Sequence, residues 1–189
     1  MQSTLCELPD GNPPSTEIQK ILAQCRTIAV VGLSPKESRD SNRVARYLME
    51  QGYEVVPVNP GQREILGKTC YRSLADIPFQ IDMVDLFLNP TRVAPVVDQA
   101  IDRGVLVIWM QLGIVHNAAA QKARESGVQV VMNRCIMQEH KKKAQGSTGS
   151  GLNVSRCRAG LRNKDKGGHR TMRLQPGIGQ KHNVEPLNR

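Results

Sequence analysis

Aromatic residues are scarce in this 189-residue chain: one Trp, three Tyr and two Phe. All six (Tyr47, Tyr53, Tyr71, Phe79, Phe87 and Trp109) fall before residue 110. The later part therefore has no ring around which to build a core, and no stacking platform for single-stranded nucleic acid. Paired cysteines are missing too. Cys6, Cys25, Cys70, Cys135 and Cys157 are odd in number, irregularly spaced and contain no C-x-x-C. With no secretory signal in view, that usage points to a reducing, cytoplasmic setting. No run approaches the ~18 apolar residues that span a bilayer, so no membrane partner is expected. The motifs G-x-S-x-G, H-E-x-x-H and G-x-x-x-x-G-K-[ST] are absent, and His116, His169 and His182 are isolated. Glu139 and His140 do not stand at zinc-ligand spacing from Cys135. Nothing nominates a catalytic group or a metal site.

Charge of one sign is also missing from most of the chain. The net charge is +9, but residues 1–143 hold 17 Lys+Arg against 15 Asp+Glu, whereas residues 144–189 hold 9 against 2. The basic excess belongs to the C-terminal stretch and is weak evidence that the domain itself binds nucleic acid. From Gly146 onward Gly, Ser, Asn, Arg and Lys dominate without apolar periodicity. Such a segment buries too little apolar surface to offset its ordering entropy, so residues 144–189 are expected to form a disordered basic tail. Nucleic acid or an acidic protein is expected as a partner only through that tail. Residues 1–14, with Pro9, Gly11, Pro13 and Pro14, read as a flexible arm.

What is there is a repeating alternation of apolar runs and amphipathic segments. Ser15 or Thr16 stands ready to cap a short helix, Glu17 to Cys25. The stretch TIAVVGLSPKESRDSNRVARYLMEQGYEVVPVNP, Thr27 to Pro60, then reads as strand, glycine turn, helix (Ser41 to Gln51) and second strand (Val55 to Val58). Further strands are expected at Met83 to Leu88, Leu106 to Trp109 and Val128 to Met132. Helices are expected after Asn89-Pro90, over Asn117 to Ser126, and over Cys135 to Lys143. Strands that are apolar on both faces and alternate with helices belong to a parallel sheet covered on both sides. The expected fold is α/β: a single doubly wound Rossmann-like domain, residues 15–143, with a five-stranded, mainly parallel sheet. Right-handed crossovers put the loops after the strands on one edge, where a ligand is expected.

Those loops carry the candidate site. Gly32 allows close backbone approach, and Ser34 and Ser41 supply hydroxyls beside the amides that open the next helix. Lys36, Arg39 and Arg43 add positive charge, which suits a phosphate or diphosphate. Two features of a dinucleotide site are altered: the turn has one glycine rather than G-x-G-x-x-G, and the second strand ends in Asn59-Pro60 rather than a carboxylate for a ribose diol. Asn59 can bond a base or ribose, and Arg63 and Lys68 can meet a further phosphate or simply be solvated. Gln111 can face the crevice, whereas Trp109 reads as core. Cys135 reads as a small buried residue rather than a reactive thiol.

Taken together, VVGLSPKESRDSNRVARYLMEQGYEVVPVNP, ILGKTCYRSLADIP, IDMVDLF, WMQLGI and VVMNRCIMQEH resemble the small stand-alone CoA-binding proteins. That family is similar to the CoA-binding domain of the succinyl-CoA synthetase alpha subunit. The resemblance covers about residues 15–143 and implies CoA or acyl-CoA as the ligand, with no attached catalytic domain. It implies that the turn Gly32-Leu33-Ser34, with Ser41 and the nearby Arg39, holds the diphosphate. It further implies that Asn59, Pro60 and Arg63 lie near the adenosine, and Trp109, Met110 and Gln111 near the pantetheine. Similar proteins often carry a basic pair where this chain has Leu88-Asn89, and Arg92 is the available substitute. Two other functions remain open on the residues alone: an NAD(P)- or other nucleotide-dependent enzyme, and an interaction protein acting through the basic tail.

Overall fold

A computed structural model describes residues 8–146 of the chain. Expectations for residues 1–7 and for 147–189, including the tail, lie outside the described residues. Five parallel strands form the sheet: β1 (Thr27–Val31), β2 (Glu54–Val58), β5 (Met83–Leu86), β6 (Val107–Met110) and β7 (Gln129–Val131), in the spatial order β2-β1-β5-β6-β7. Counting these five alone, the order is 2-1-3-4-5, a doubly wound arrangement. Nearly every strand residue is buried, and that two-sided burial is what the helices supply. Helices α1 (Ser15–Gln24), α2 (Asp40–Glu50) and α5 (Ile136–Gly146) cover one face. Ile18, Ile21, Val44, Leu48 and Ile136 pack there on Ile28, Val30 and Trp109. Helices α3 (Val93–Asp102) and α4 (Asn117–Glu125) cover the other, setting Val93, Val97, Ala119 and Ala123 on Ala29, Val84 and Ile108.

The amino edge of the sheet is tied by one side chain. Asp82 Oδ2 accepts the amide N–H groups of Arg26 at 2.8 Å and Thr27 at 2.9 Å. Its partner edge, at the carboxyl ends, is left to the loops that form the site.

Three local expectations change. No side chain caps α1: Pro14 occupies the N-cap position, and its carbonyl accepts the Glu17 and Ile18 amides. The connection after Pro60, expected to be irregular, contains a small antiparallel hairpin, β3 (Glu64–Ile65) with β4 (Lys68–Thr69). Its two-residue turn, Leu66-Gly67, has both residues at positive φ (55° and 71°), the geometry that matches strand twist but rarely accepts leucine. The prolines of the N-terminal stretch suggested a loose arm, yet residues 8–12 are hydrogen-bonded along α4 and the end of β7. Asn117 donates to the Leu8 carbonyl at 2.9 Å, Arg124 donates to the Asp10 carbonyl at 2.8 Å, and Asn12 clasps both backbone groups of Met132 at 2.7 and 2.8 Å.

The Asn12 clasp satisfies two backbone groups at a sheet edge, where unpaired groups invite wrong pairing. Asn12→Ala is predicted to lower stability by about 1–3 kcal/mol, read as a reduced urea midpoint. An unchanged midpoint would show that the clasp contributes nothing.

Candidate functional site

The strand order reverses between β1 and β5, so the loops leaving these neighbours diverge and open a crevice between them. Gly32 stands at the parting. Its φ is +83°, and a Cβ built there would lie 3.1 Å from the Phe87 carbonyl carbon and overlap the carbonyl oxygen. Only glycine fits both the backbone angle and the approach. The Gly32 amide donates to the Val58 carbonyl, and the Phe87 amide donates to the Val31 carbonyl, both at 2.9 Å. Gly32, Phe87 and Leu88 form a shared wall with one cavity on each side.

The first cavity, about 550 Å³, lies on the α2–α5 side and is lined by Ser34, Arg39, Ser41, Gln111, Cys135 and Gln138 among others. Two helices begin at it. The amides of Asp40 and Ser41 at the start of α2, and of Ile136, Met137 and Gln138 at the start of α5, have no acceptor among the described residues. These are the donors that helices leave open, at the positive ends of their dipoles. The turn before α2 is braced internally. The buried Ser41 Oγ accepts the Ser34 amide at 3.1 Å, Asn42 donates to the Ser34 carbonyl at 2.8 Å, and Ser34 Oγ accepts the Lys36 amide at 3.2 Å. Around it, Arg43 pairs with Asp40 and Arg46 with Glu37. The Arg39 guanidinium has no such partner among the described residues.

The second cavity, about 380 Å³, lies on the α3 side and is lined by Asn59, Pro60, Arg72, Ser73, Asn89, Arg92 and Gln99 among others. Neither Arg72 nor Arg92 has a side-chain partner among the described residues, so two guanidinium groups are open to an anion here. Asn59 is occupied. Its Nδ2 donates to the Leu33 carbonyl and its Oδ1 accepts the Gly61 amide, each at 2.9 Å. The side chain thus joins the first and second loops. Asn89 caps the turn Pro90–Arg92 by accepting the Thr91 amide at 3.1 Å, which sets Arg92 on the cavity wall.

The sheet beneath the first cavity contains a carboxylate. Asp85 lies in the middle of β5, completely buried, in register with Val30 on β1 and Trp109 on β6. Gln111 Nε2 donates to both of its oxygens, at 2.9 and 3.1 Å. Burial pushes the Asp85 carboxyl up to about 7, against the lowering effect of the Gln111 hydrogen bond. Cys25, elsewhere on the same face, is pushed up to about 12 by burial, with the Asp82 charge adding. That thiol is inert at neutral pH.

Of the residues expected at the site, Gly32, Ser34, Arg39, Ser41 and Gln111 converge on the first cavity, and Asn59 and Pro60 on the second. Four do not line either. Leu33, Trp109 and Met110 are wholly buried core residues, and Trp109 spends its indole N–H on the Arg134 carbonyl at 2.6 Å. Arg63 precedes the β3–β4 hairpin and stands outside both cavities. Arg72 and Ser73, which the sequence reading passed over, stand on the wall of the second cavity instead. Cys135 is buried, as expected, yet it lines the first cavity. His140 is elsewhere, its Nδ1 2.8 Å from the Tyr47 hydroxyl. Among the described residues no group of His, Cys, Asp and Glu is placed to hold a metal, and no helix is long and apolar enough to cross a membrane.

A doubly wound sheet with helix N-termini and open guanidinium groups at its switch point offers the donors that a phosphorylated ligand requires. Comparison with known proteins narrows the class. A family model described as "CoA binding domain" matches residues 26–141, and the chain belongs to that family. The protein YneT of Bacillus subtilis is 37% identical over 129 residues, covering 68% of this chain and 96% of the relative. An ADP-forming acetate–CoA ligase of Archaeoglobus fulgidus is 30% identical over 122 residues, 59% of this chain but only 18% of the ligase. A solved structure described as a hypothetical protein from Pyrococcus horikoshii OT3 is 44% identical, with a TM-score of 0.68, covering 75% of this chain and 98% of that one. Relatives little longer than the matched segment thus occur alongside large ligases in which the match is a small part.

The buried carboxyl makes stability depend on pH. Folded Asp85 holds its proton up to about 7, against an ordinary value of 3.8. Between those values the folded chain binds a proton that the unfolded chain releases, so this group's contribution falls as pH rises and its penalty is complete above about 7. Asp85→Asn is predicted to gain on the wild type, by an amount on the order of 2 kcal/mol between pH 5 and pH 8, in paired urea titrations. A stability difference that stays constant across that range would contradict the assignment.

Proposed function

We propose that the protein binds CoA or acyl-CoA across both cavities, with the molecule bent over the Gly32–Phe87 wall. The supporting observation is the division of donors. Arg72 and Arg92 stand together on the second cavity, where the ribose 3′-phosphate of the adenosine end is the group that needs them. The diphosphate lies at the start of α2, against the open Asp40 and Ser41 amides and the Arg39 guanidinium. The pantetheine arm runs into the first cavity toward Gln111 and Cys135. Family membership supports the ligand class; the placement of each part rests on this distribution of charge and of unpaired donors.

An NAD-type reading is disfavoured by the second strand end. A ribose diol calls for an acceptor there, and Asn59 has both ends of its amide engaged within the protein. Binding, rather than turnover, is the activity this arrangement supports. Among the described residues no nucleophile–base pair is brought together on the cavity walls, and the ligase relative is more than five times the length of its matching segment.

Isothermal calorimetry with CoA, 3′-dephospho-CoA and NADPH tests the reading. CoA is expected to bind with micromolar affinity and NADPH much more weakly. Arg72→Ala should weaken CoA about 10-fold or more while leaving 3′-dephospho-CoA nearly unchanged, because one charge-assisted contact is worth ~1.5–3 kcal/mol. Equal losses for both ligands would move the 3′-phosphate away from Arg72. Absence of CoA binding by folded protein would refute the function.

A further inference from the structure

The proposed reading of the crevice does not use Asp85, the one carboxylate buried in the sheet. Its only side-chain hydrogen-bond partner among the described residues is Gln111, whose side chain is almost fully buried and lines the first cavity. Above about pH 7, where the buried Asp85 carboxyl has lost its proton, it has acceptors and no donor. It therefore tolerates only one orientation of the neighbouring amide, with Nε2 turned inward. The two contacts at 2.9 and 3.1 Å aim the Nε2 side of the amide at Asp85, one N–H being shared between the two carboxylate oxygens. Gln111 Oε1 is left without a donor among the described residues, on a side chain that forms part of the cavity wall.

We propose that Asp85 is a positioning residue that fixes the hand of the Gln111 amide, so that the first cavity presents a single carbonyl acceptor to its ligand. The cavity that Gln111 lines is also walled by Val44, Phe87, Leu112 and Ile114. In this setting an unpaired carbonyl disfavours an anion and rewards a neutral N–H donor. The donors at the helix starts select phosphate at one end of the cavity, and the acceptor selects an amide at the other. The chemical class that meets both demands is a phosphorylated molecule with a peptide-like arm. The inference rests on the CoA reading and deepens it, since the pantetheine arm of CoA carries two secondary amides.

The test uses full-length protein and three kinds of ligand. Adenosine 3′,5′-bisphosphate shares the adenosine and 3′-phosphate end of CoA but lacks the arm. At pH 8, where Asp85 is ionised, wild-type protein is expected to bind CoA at least 10-fold more tightly than the bisphosphate. In Asp85→Asn, whose new amide can donate or accept, Gln111 is free to turn. The bisphosphate affinity should be retained and the CoA advantage should fall below about 3-fold, with the Gln111 side-chain amide signals shifted in ¹⁵N spectra. A folded Asp85→Asn protein with an unchanged ratio and unmoved Gln111 signals would overturn the proposal and leave Asp85 a structural residue. Should that variant fail to fold, CoA analogues with either arm amide replaced by an ester are measured against the wild type. One of them is expected to bind about 5- to 10-fold more weakly, and undiminished binding of both overturns the proposal. Failure of wild-type protein to bind either CoA or the bisphosphate would instead refute the CoA reading, and this inference with it.

Discussion

The close approach of Gly32 to the Phe87 carbonyl is the constraint on which the site depends. Neighbouring strands β1 and β5 must send their chains in opposite directions at the same height, and the two backbones touch as they part. A side chain at position 32 would separate them. With glycine there, the Gly32 amide still reaches Val58 on the next strand and the Phe87 amide still reaches Val31. Three strand ends are thereby held in one cluster, and the wall they form divides the crevice in two. The cavities on its sides take different characters because α2 and α5 begin on one side and α3 lies on the other.

Charge is handled differently in each part. Near the loop surface, acidic residues neutralise Arg43 and Arg46 but leave Arg39, Arg72 and Arg92 without partners among the described residues. The three open cations line the cavities, and of the paired ones Arg43 lines the first cavity beside its partner Asp40. Below, the carboxylate buried in the sheet, Asp85, is kept away from these cations and satisfied by a neutral amide. Desolvation then raises its proton affinity, because Gln111 cannot compensate as a guanidinium would. Asn59 and Asn89 contribute by a different route. Each uses its side chain on nearby backbone and so shapes a loop whose neighbours, Pro60 and Arg92, reach the cavity.

Much of this fold is legible in the residues. The sharp ends of β1 and β2, with glycine, polar loop and amphipathic helix between them, define the first unit within a residue or two. The later strands follow from apolar runs too short and too regularly interrupted to be anything else. The site was less legible, because periodicity gives elements and not the direction of each side chain. Trp109, Met110 and Gln111 are consecutive, and the pleat sends the first two into opposite cores while only the third escapes past the strand end. Arg63 and Arg72 are nine residues apart, and the Leu66-Gly67 hairpin that sends one outward and the other inward lacks the usual Asn-Gly signature. Asp85 was visible as a polar break in MVDLF, a strand otherwise apolar on both faces, and that break was the available signal for a functional position. Asn59 was read by its chemistry as a ligand group, but its amide is spent on holding two loops together.

In the proposed complex one ligand occupies both sides of the Gly32–Phe87 wall. The most direct measurement is a CoA titration followed by backbone amide NMR. Saturable shifts are predicted at Gly32 to Ser41, at Arg72 and Ser73, at Phe87 to Asn89, and at Gln111 and Cys135 to Gln138, all with one common affinity. Shifts confined to one side of the wall, or clustered at the opposite sheet edge around Arg26, Asp82 and Leu106, would contradict it.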